Sequence, residues 1–114
     1  MTDCLFCKIV NGDIPSDKVY EDDYVLAFND LNAQAPTHIL IIPKKHISTM
    51  NDLQAQDTEV VGQLMQVAAN IAKDKGFSDA GYRVVMNCNQ DGGQAVYHIH
   101  LHLLGGRAMA WPPG

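Results

Sequence analysis

From His98 to Leu104 the chain reads His98-Ile99-His100-Leu101-His102-Leu103-Leu104, so three of its five histidines alternate with aliphatic side chains. In a strand, successive side chains point to opposite faces at about 3.3 Å per residue. The pattern therefore predicts an extended segment with the three imidazoles on one face, each about 7 Å from the next, and Ile99, Leu101 and Leu103 turned toward a core. A neutral imidazole is a nucleophile and a metal ligand near pH 7, and its protonated form is a charged donor. Such a row suits the binding of an oxyanion and attack on it. A solvated strand that happens to carry histidines is the plainer alternative; it accounts for one histidine more easily than for three in strict alternation.

With 114 residues, 46% hydrophobic and 18% charged, the chain suits one compact domain over residues 1–114. A net charge of −5 and a pI near 5.3 argue against a grip on nucleic-acid backbone, which needs clustered Lys and Arg. Only Lys44 and Lys45 adjoin each other, and these read as a solvated strand end. One small anionic ligand is still compatible, because local donors and helix ends make such a site. The longest aliphatic run, Ile39 to Ile42, is too short to span a bilayer, and no basic stretch followed by an apolar one opens the sequence. No membrane association is expected. Three cysteines, two of them in Cys4-Leu5-Phe6-Cys7, do not form the framework of a secreted disulfide protein, so a reducing cytoplasm is the expected compartment.

Leu5 to Val10 reads as one or two helical turns capped at Asn11-Gly12, and Ile14-Pro15 turns the chain. Tyr24 to Phe28 reads as a strand, and His38 to Ile42 as a second, buried on both faces. From Asp57 to Lys75, apolar residues at Val60, Val61, Leu64, Val67, Ala68 and Ile71 follow helical spacing, and Gly76 is the natural stop. Leu64 and Met65 belong to a core or subunit face. Tyr82 to Cys88 is a third strand, Asn89 to Gly93 its turn, and Tyr97 to Leu104 a fourth. Strands grouped before and after one long helix imply an α+β fold with a mainly antiparallel sheet.

Several residues carry chemistry with a plainer reading beside it. Gly92-Gly93 can bring backbone amides close to an anion, with Asn87 and Gln94 as neutral donors, although a Gly-Gly pair between strands is more often only a turn. Asp30 can accept two hydrogen bonds from a ribose, or simply start a turn. Cys4 and Cys7 can present two thiolates to one metal, stay as two reduced buried thiols, or form a redox pair. Cys88 reads as a small core residue, and His38 as a satisfied, partly buried histidine with a supporting role near His100 as the other option.

The run from Asn87 through Asp91-Gly92-Gly93-Gln94 to the three histidines, followed by Gly105-Gly106-Arg107, closely resembles the histidine-triad superfamily. The ending Trp111-Pro112-Pro113-Gly114 points to its Hint branch, the nucleoside phosphoramidases, and the likeness extends through Ile14-Pro15, Glu21-Asp22-Asp23, Leu26-Ala27-Phe28 and Gln34-Ala35-Pro36-Thr37-His38. The resemblance implies a sheet of about five strands with one long helix and a short N-terminal helix, extended across a homodimer. It implies hydrolysis of the P–N bond of purine nucleoside phosphoramidates to the nucleoside monophosphate, with no organic cofactor. By the same likeness His100 is the nucleophile and His102 the phosphate donor. Asn87, Gly93, Gln94 and Ala95 lie at the phosphate, Asp30 at the ribose, and Ile14, Phe28, Asn29 and Leu31 around the base. Trp111 reaches the partner's site; the plainer reading is an exposed tail.

Members with an N-terminal cysteine pair bind zinc, and the likeness assigns Cys4, Cys7, His46 and His98 as ligands of a structural zinc. Two departures from the family pattern stand out. Ala95 replaces a serine that eukaryotic members carry after Gly-Gly-Gln, removing a hydroxyl near the leaving amine, and Asn29 stands where some members have histidine. A dinucleoside polyphosphate hydrolase and a non-catalytic nucleotide-binding protein use the same residues and remain open.

Overall fold

The computed structural model describes residues 3–114. Helix α1 (Leu5–Val10) starts at Cys4, whose sulfur accepts the Cys7 N–H at 3.3 Å, and the chain leaves it through Asn11 and Gly12. Gly12 has φ +83°, a conformation that favours glycine. Strands β1 (Lys18–Glu21), β2 (Val25–Asn29), β3 (Thr37–Pro43), β4 (Arg83–Val85) and β5 (Leu101–Gly105) form one sheet in the order β1-β2-β3-β5-β4, with every pairing antiparallel. Helix α2 (Thr58–Lys75) ends at Gly76, which takes the left-handed conformation with φ +87°. This is the expected α+β architecture, with one long helix and a short N-terminal one. No helix among the described residues is long and apolar enough to cross a membrane.

The sheet buries both faces. On one, Leu64, Val67, Ala68, Ile71 and Ala72 of α2 meet Val25, Ala27, Ile39, Ile41, Leu101 and Leu103. On the other, Phe6 and Ile9 of α1 cover Leu26, Phe28, Leu40 and Ile42. Strands β2 and β3 are thus apolar on both sides, which is why Ile39 to Ile42 carries no polar alternation. Burying one such side chain stabilises by about 1.5–3 kcal/mol.

Four sequence expectations need correction. The four exposed-edge residues Lys18-Val19-Tyr20-Glu21 form β1, a strand absent from the four read in the sequence because it is short, polar and laced by a Lys18–Glu21 pair at 3.0 Å. The histidine strand is shorter than the expected Tyr97 to Leu104: the regular ladder begins at Leu101, paired with Ile41 of β3. Continuing it would set residue 99 against Pro43, which has no N–H to give. The Pro43 carbonyl instead accepts Nε2–H of His98 at 2.7 Å, and the Ile99 N–H turns to the Ile47 carbonyl at 2.8 Å. Because β5 starts late, β4 stops at Val85, opposite His102, and not at Cys88. Finally, the expected Asn89 to Gly93 turn is a helical turn, α3 (Asn89–Gly92), closed by Gly93 at φ +79°.

Candidate active site and metal centre

His98 and His100 precede the regular strand but keep its alternation, since Ile99 and Leu101 are buried and the Phe6 ring of α1 contacts both imidazoles. The rings of His100 and His102 lie closer than the expected 7 Å, at 4.9 Å between centroids. His100 and His102 open onto a cavity of about 530 Å³, whose wall includes Phe6, Phe28, Asn29, Asp30, Leu31, His38, Ala95 and Val96. Its lining is mainly apolar, with a carboxylate and imidazoles converging at one side, the usual make-up of a small-molecule site. Ser16 also lines it, and its hydroxyl is buried with no protein partner. A larger groove of about 870 Å³ runs between β1 and α2, lined by residues such as Lys18, Asn70, Lys73 and Asp74 and by no histidine or cysteine.

Backbone partners assign the imidazole protons. His100 Nδ1 lies 2.8 Å from the His98 carbonyl oxygen, which can only accept, so Nδ1 carries the proton and Nε2 keeps its lone pair. The Gln34 N–H donates to Nδ1 of His38 at 3.0 Å, so His38 bears its proton on Nε2. That Nε2–H lies 2.9 Å from Nδ1 of His102, leaving His102 to offer Nε2–H as a donor. Asp30 Oδ2 is 3.3 Å from the same His38 nitrogen. Asp30, His38 and His102 lie close enough to suggest a cation, but the Gln34 N–H holds His38 in the tautomer whose facing nitrogen is protonated. Adjacent residues thus present one nitrogen that can attack and one that can donate.

Burial pushes both rings toward neutrality. His102 falls to about 4, first because it is desolvated and then because His100 and His38 lie beside it; Asp30 opposes the shift. Desolvation lowers His100 as well, against the pull of the His98 carbonyl and Asp30.

A second cluster forms beside the first. Nδ1 of His98 lies 3.4 Å from Cys4 Sγ, 3.6 Å from Cys7 Sγ and 3.3 Å from Nδ1 of His46, and Cys7 Sγ is 3.3 Å from that His46 nitrogen. A tetrahedral ion with bonds of about 2.3 Å to sulfur and about 2.0 Å to nitrogen has edges of about 3.3–3.8 Å between its donors. These four distances fit such an ion. Since His98 gives its Nε2 proton to Pro43, its Nδ1 lone pair faces the His46 nitrogen. Two sulfurs and two imidazole nitrogens converging at these separations are a donor set that one cation can bridge. The chemistry of the donor set therefore fits a metal, and His46 completes it with Nε2 against Ser48 Oγ at 3.2 Å.

The remaining residues expected at the site lie elsewhere. Gln94 is buried, with Oε1 accepting from Asn89 N–H at 2.9 Å and Nε2 donating to the carbonyls of Ser48 and Val96 at 2.8 and 3.1 Å. It braces the turn beneath Ala95 and does not line the cavity. The Gly93 N–H donates to the Gln90 carbonyl at 3.0 Å and so closes α3. Asn87 is half-buried against Gly92. Ile14 packs on the α1 face of the sheet, and Trp111 is 82% exposed beside Arg83, both outside the cavity lining. His38 was read in the sequence mainly as a satisfied histidine. It meets His102 across 64 residues, a separation that carries no local signal.

Comparison with known proteins agrees with these features. The HIT domain family matches residues 11–109. The purine nucleoside phosphoramidase of Escherichia coli (strain K12) is 54% identical over 105 residues, covering 92% of this chain and 88% of that protein. The 14 kDa zinc-binding protein of Zea mays is 54% identical over 112 residues, covering 96% of this chain and 87% of that one. Among solved structures, a HIT family hydrolase from Legionella pneumophila Philadelphia 1 superposes with a TM-score of 0.96 at 57% identity, covering 98% of this chain and 100% of that one.

Proposed function

The chain belongs to the HIT domain family, and from that premise we propose that it hydrolyses the P–N bond of purine nucleoside 5′-phosphoramidates to the nucleoside monophosphate. The observation that carries this reading is the His100 Nδ1–H bond to the His98 carbonyl at 2.8 Å, which leaves an unprotonated Nε2 at the cavity. In the first step that lone pair attacks the α-phosphorus while the P–N electron pair departs with the amine, which takes up a proton from solvent; the attacking water of the second step returns one to solvent. The product is a nucleotidyl group on His100. Water then attacks phosphorus, the bond to Nε2 breaks, and the nucleoside monophosphate leaves with His100 restored. As the ring gains positive charge, the proton on Nδ1 bonds more strongly to the His98 carbonyl. His102 donates Nε2–H to a phosphate oxygen, aided by His38; one such donor contributes on the order of 3 kcal/mol to catalysis in other enzymes. Asp30, at the cavity wall, suits the ribose hydroxyls, with Phe28 and the fully exposed Leu31 against the base.

The metal centre is read as zinc, held by Cys4, Cys7, His46 and His98. The two-sulfur, two-nitrogen donor set and the zinc-binding relative support this. With four protein ligands the ion supplies architecture and no reactive water. A cytoplasmic location suits thiolates kept reduced. A homodimer is proposed through strand β4, a half-buried sheet edge beside the exposed Tyr82 and Trp111.

One experiment tests the reaction: adenosine phosphoramidate and diadenosine polyphosphates are offered to the wild-type protein and to His100→Ala. The reading expects turnover of the phosphoramidate, little of the polyphosphates, and a loss of at least about a thousandfold in the variant. Turnover of polyphosphates alone, or full activity in the variant, refutes it.

A further inference from the structure

Helix α1 has six residues, too few to hold its shape alone, and both ends of its first turn are cysteines of the metal cluster. Between them Phe6 is 3% exposed and stands nearly perpendicular to three rings: His98 at 5.9 Å and 70°, His100 at 5.1 Å and 87°, and Phe28 at 5.6 Å and 77°. The hydrogen bond from His100 Nδ1 to the His98 carbonyl selects a tautomer but pivots at one atom. A ring held at one atom can rock, which moves Nε2 away from the line of attack. Phe6 and His102, at 5.1 and 4.9 Å, are the rings that limit that motion, and Phe6 sits on a helix whose position depends on the cluster.

We propose that Phe6 is a positioning residue for His100, through which the Cys4, Cys7, His46 and His98 centre sets the aim of the nucleophile. A cation there ties Cys4 and Cys7 to His98, so Phe6 is located relative to the same residue whose carbonyl holds His100. Without the cation the coordinate bonds tying Cys4 and Cys7 to His98 are lost, the first turn of α1 loosens, and His100 loses one wall. A misplacement of reacting groups by about 1 Å can cost about a hundredfold in rate. The inference rests on His100 being the nucleophile, as proposed above.

The test compares zinc-loaded wild type and Phe6→Leu before and after removal of zinc with a chelator. It reads kcat and KM for adenosine phosphoramidate, affinity for adenosine monophosphate, zinc content, and the ¹⁵N NMR signals of the His100 ring. Phe6→Leu is expected to keep one zinc per chain and nucleotide affinity within about threefold, while kcat falls about tenfold with little change in KM. The His100 signals, those of a fixed Nδ1–H tautomer in loaded wild type, should broaden or shift in the variant. Chelation should lower the wild-type kcat by a similar factor and the variant's by less than about twofold, since the link is already cut. Wild-type kcat and an unaltered His100 signature in Phe6→Leu overturn the proposal, as does chelation that slows both proteins equally. Should the variant lose zinc or its fold, wild type decides alone: His100 signals unmoved by zinc removal overturn it. If loaded wild type turns over no phosphoramidate, the proposed reaction fails, while the NMR comparison still decides whether the metal centre orients His100.

Discussion

The carbonyl oxygen of His98 lies 2.8 Å from Nδ1 of His100, so one residue orients another through its main chain while its own ring faces the metal cluster. On the proposed reading the two functions of the histidine segment meet in a single residue: His98 gives its imidazole to the metal and its carbonyl to the nucleophile.

Acid sensitivity follows from desolvation. A buried His100 stays neutral below the ordinary histidine range, so the proposed nucleophile persists as pH falls through 6.5, the usual histidine value. The acid limb of kcat/KM is expected below that pH. Asp30 raises the pKa of His38, His100 and His102. Asp30→Asn should therefore move the limb to still lower pH, as measured with a phosphoramidate across pH 4–8. A limb at or above 6.5, or one moved upward by the substitution, contradicts this.

His38→Leu removes the Nε2–H that faces His102 at 2.9 Å. With either tautomer of His102 then allowed, kcat should fall about ten- to a hundredfold, as when other orienting partners are lost. Nucleotide affinity should change less. Steady-state kinetics together with calorimetric titration of adenosine monophosphate separate the two effects.

Cys4→Ser with Cys7→Ser removes both sulfurs from the cluster. Stoichiometric zinc should disappear from the purified protein, and stability should drop on the order of 2 kcal/mol, or roughly 10 °C in Tm. Metal analysis and thermal melts, with wild type in chelator as reference, check both. An unchanged metal content excludes this donor set.

Gly105→Ala should destabilise by about 1–3 kcal/mol by overpacking. A Cβ at Gly105 would lie 2.5 Å from Cε1 of Phe77, a ring in the α2-side core. Phe77→Leu in the same background should recover part of the loss, measured by denaturant unfolding.

Ala95 lines the cavity without a hydroxyl. Ala95→Ser should raise kcat several-fold for phosphoramidates of basic amines, whose departure most needs a proton, and little for those of weakly basic ones. A uniform change across leaving groups would count against a contact with the departing nitrogen.

Much of this arrangement was legible in the chain itself. Alternation across 98–104 and the helical spacing before Gly76 determined which face of each element would be apolar, because side-chain direction follows from backbone period alone. The cysteine pair and the histidines named the chemistry available, and resemblance supplied the expected grouping of Cys4 and Cys7 with His46 and His98. What only the tertiary structure decided was where regularity stops and which atoms meet. Pro43, lacking an N–H, ends the ladder before His98, and that releases the His98 ring to bond the Pro43 carbonyl and turn Nδ1 to the cysteines. His38 meets His102 across 64 residues and Gln94 turns inward to Ser48 across 46, contacts set by strand order and loop closure. Local sequence carries periodicity and donor type; proton positions and donor distances arise only once distant segments share one sheet.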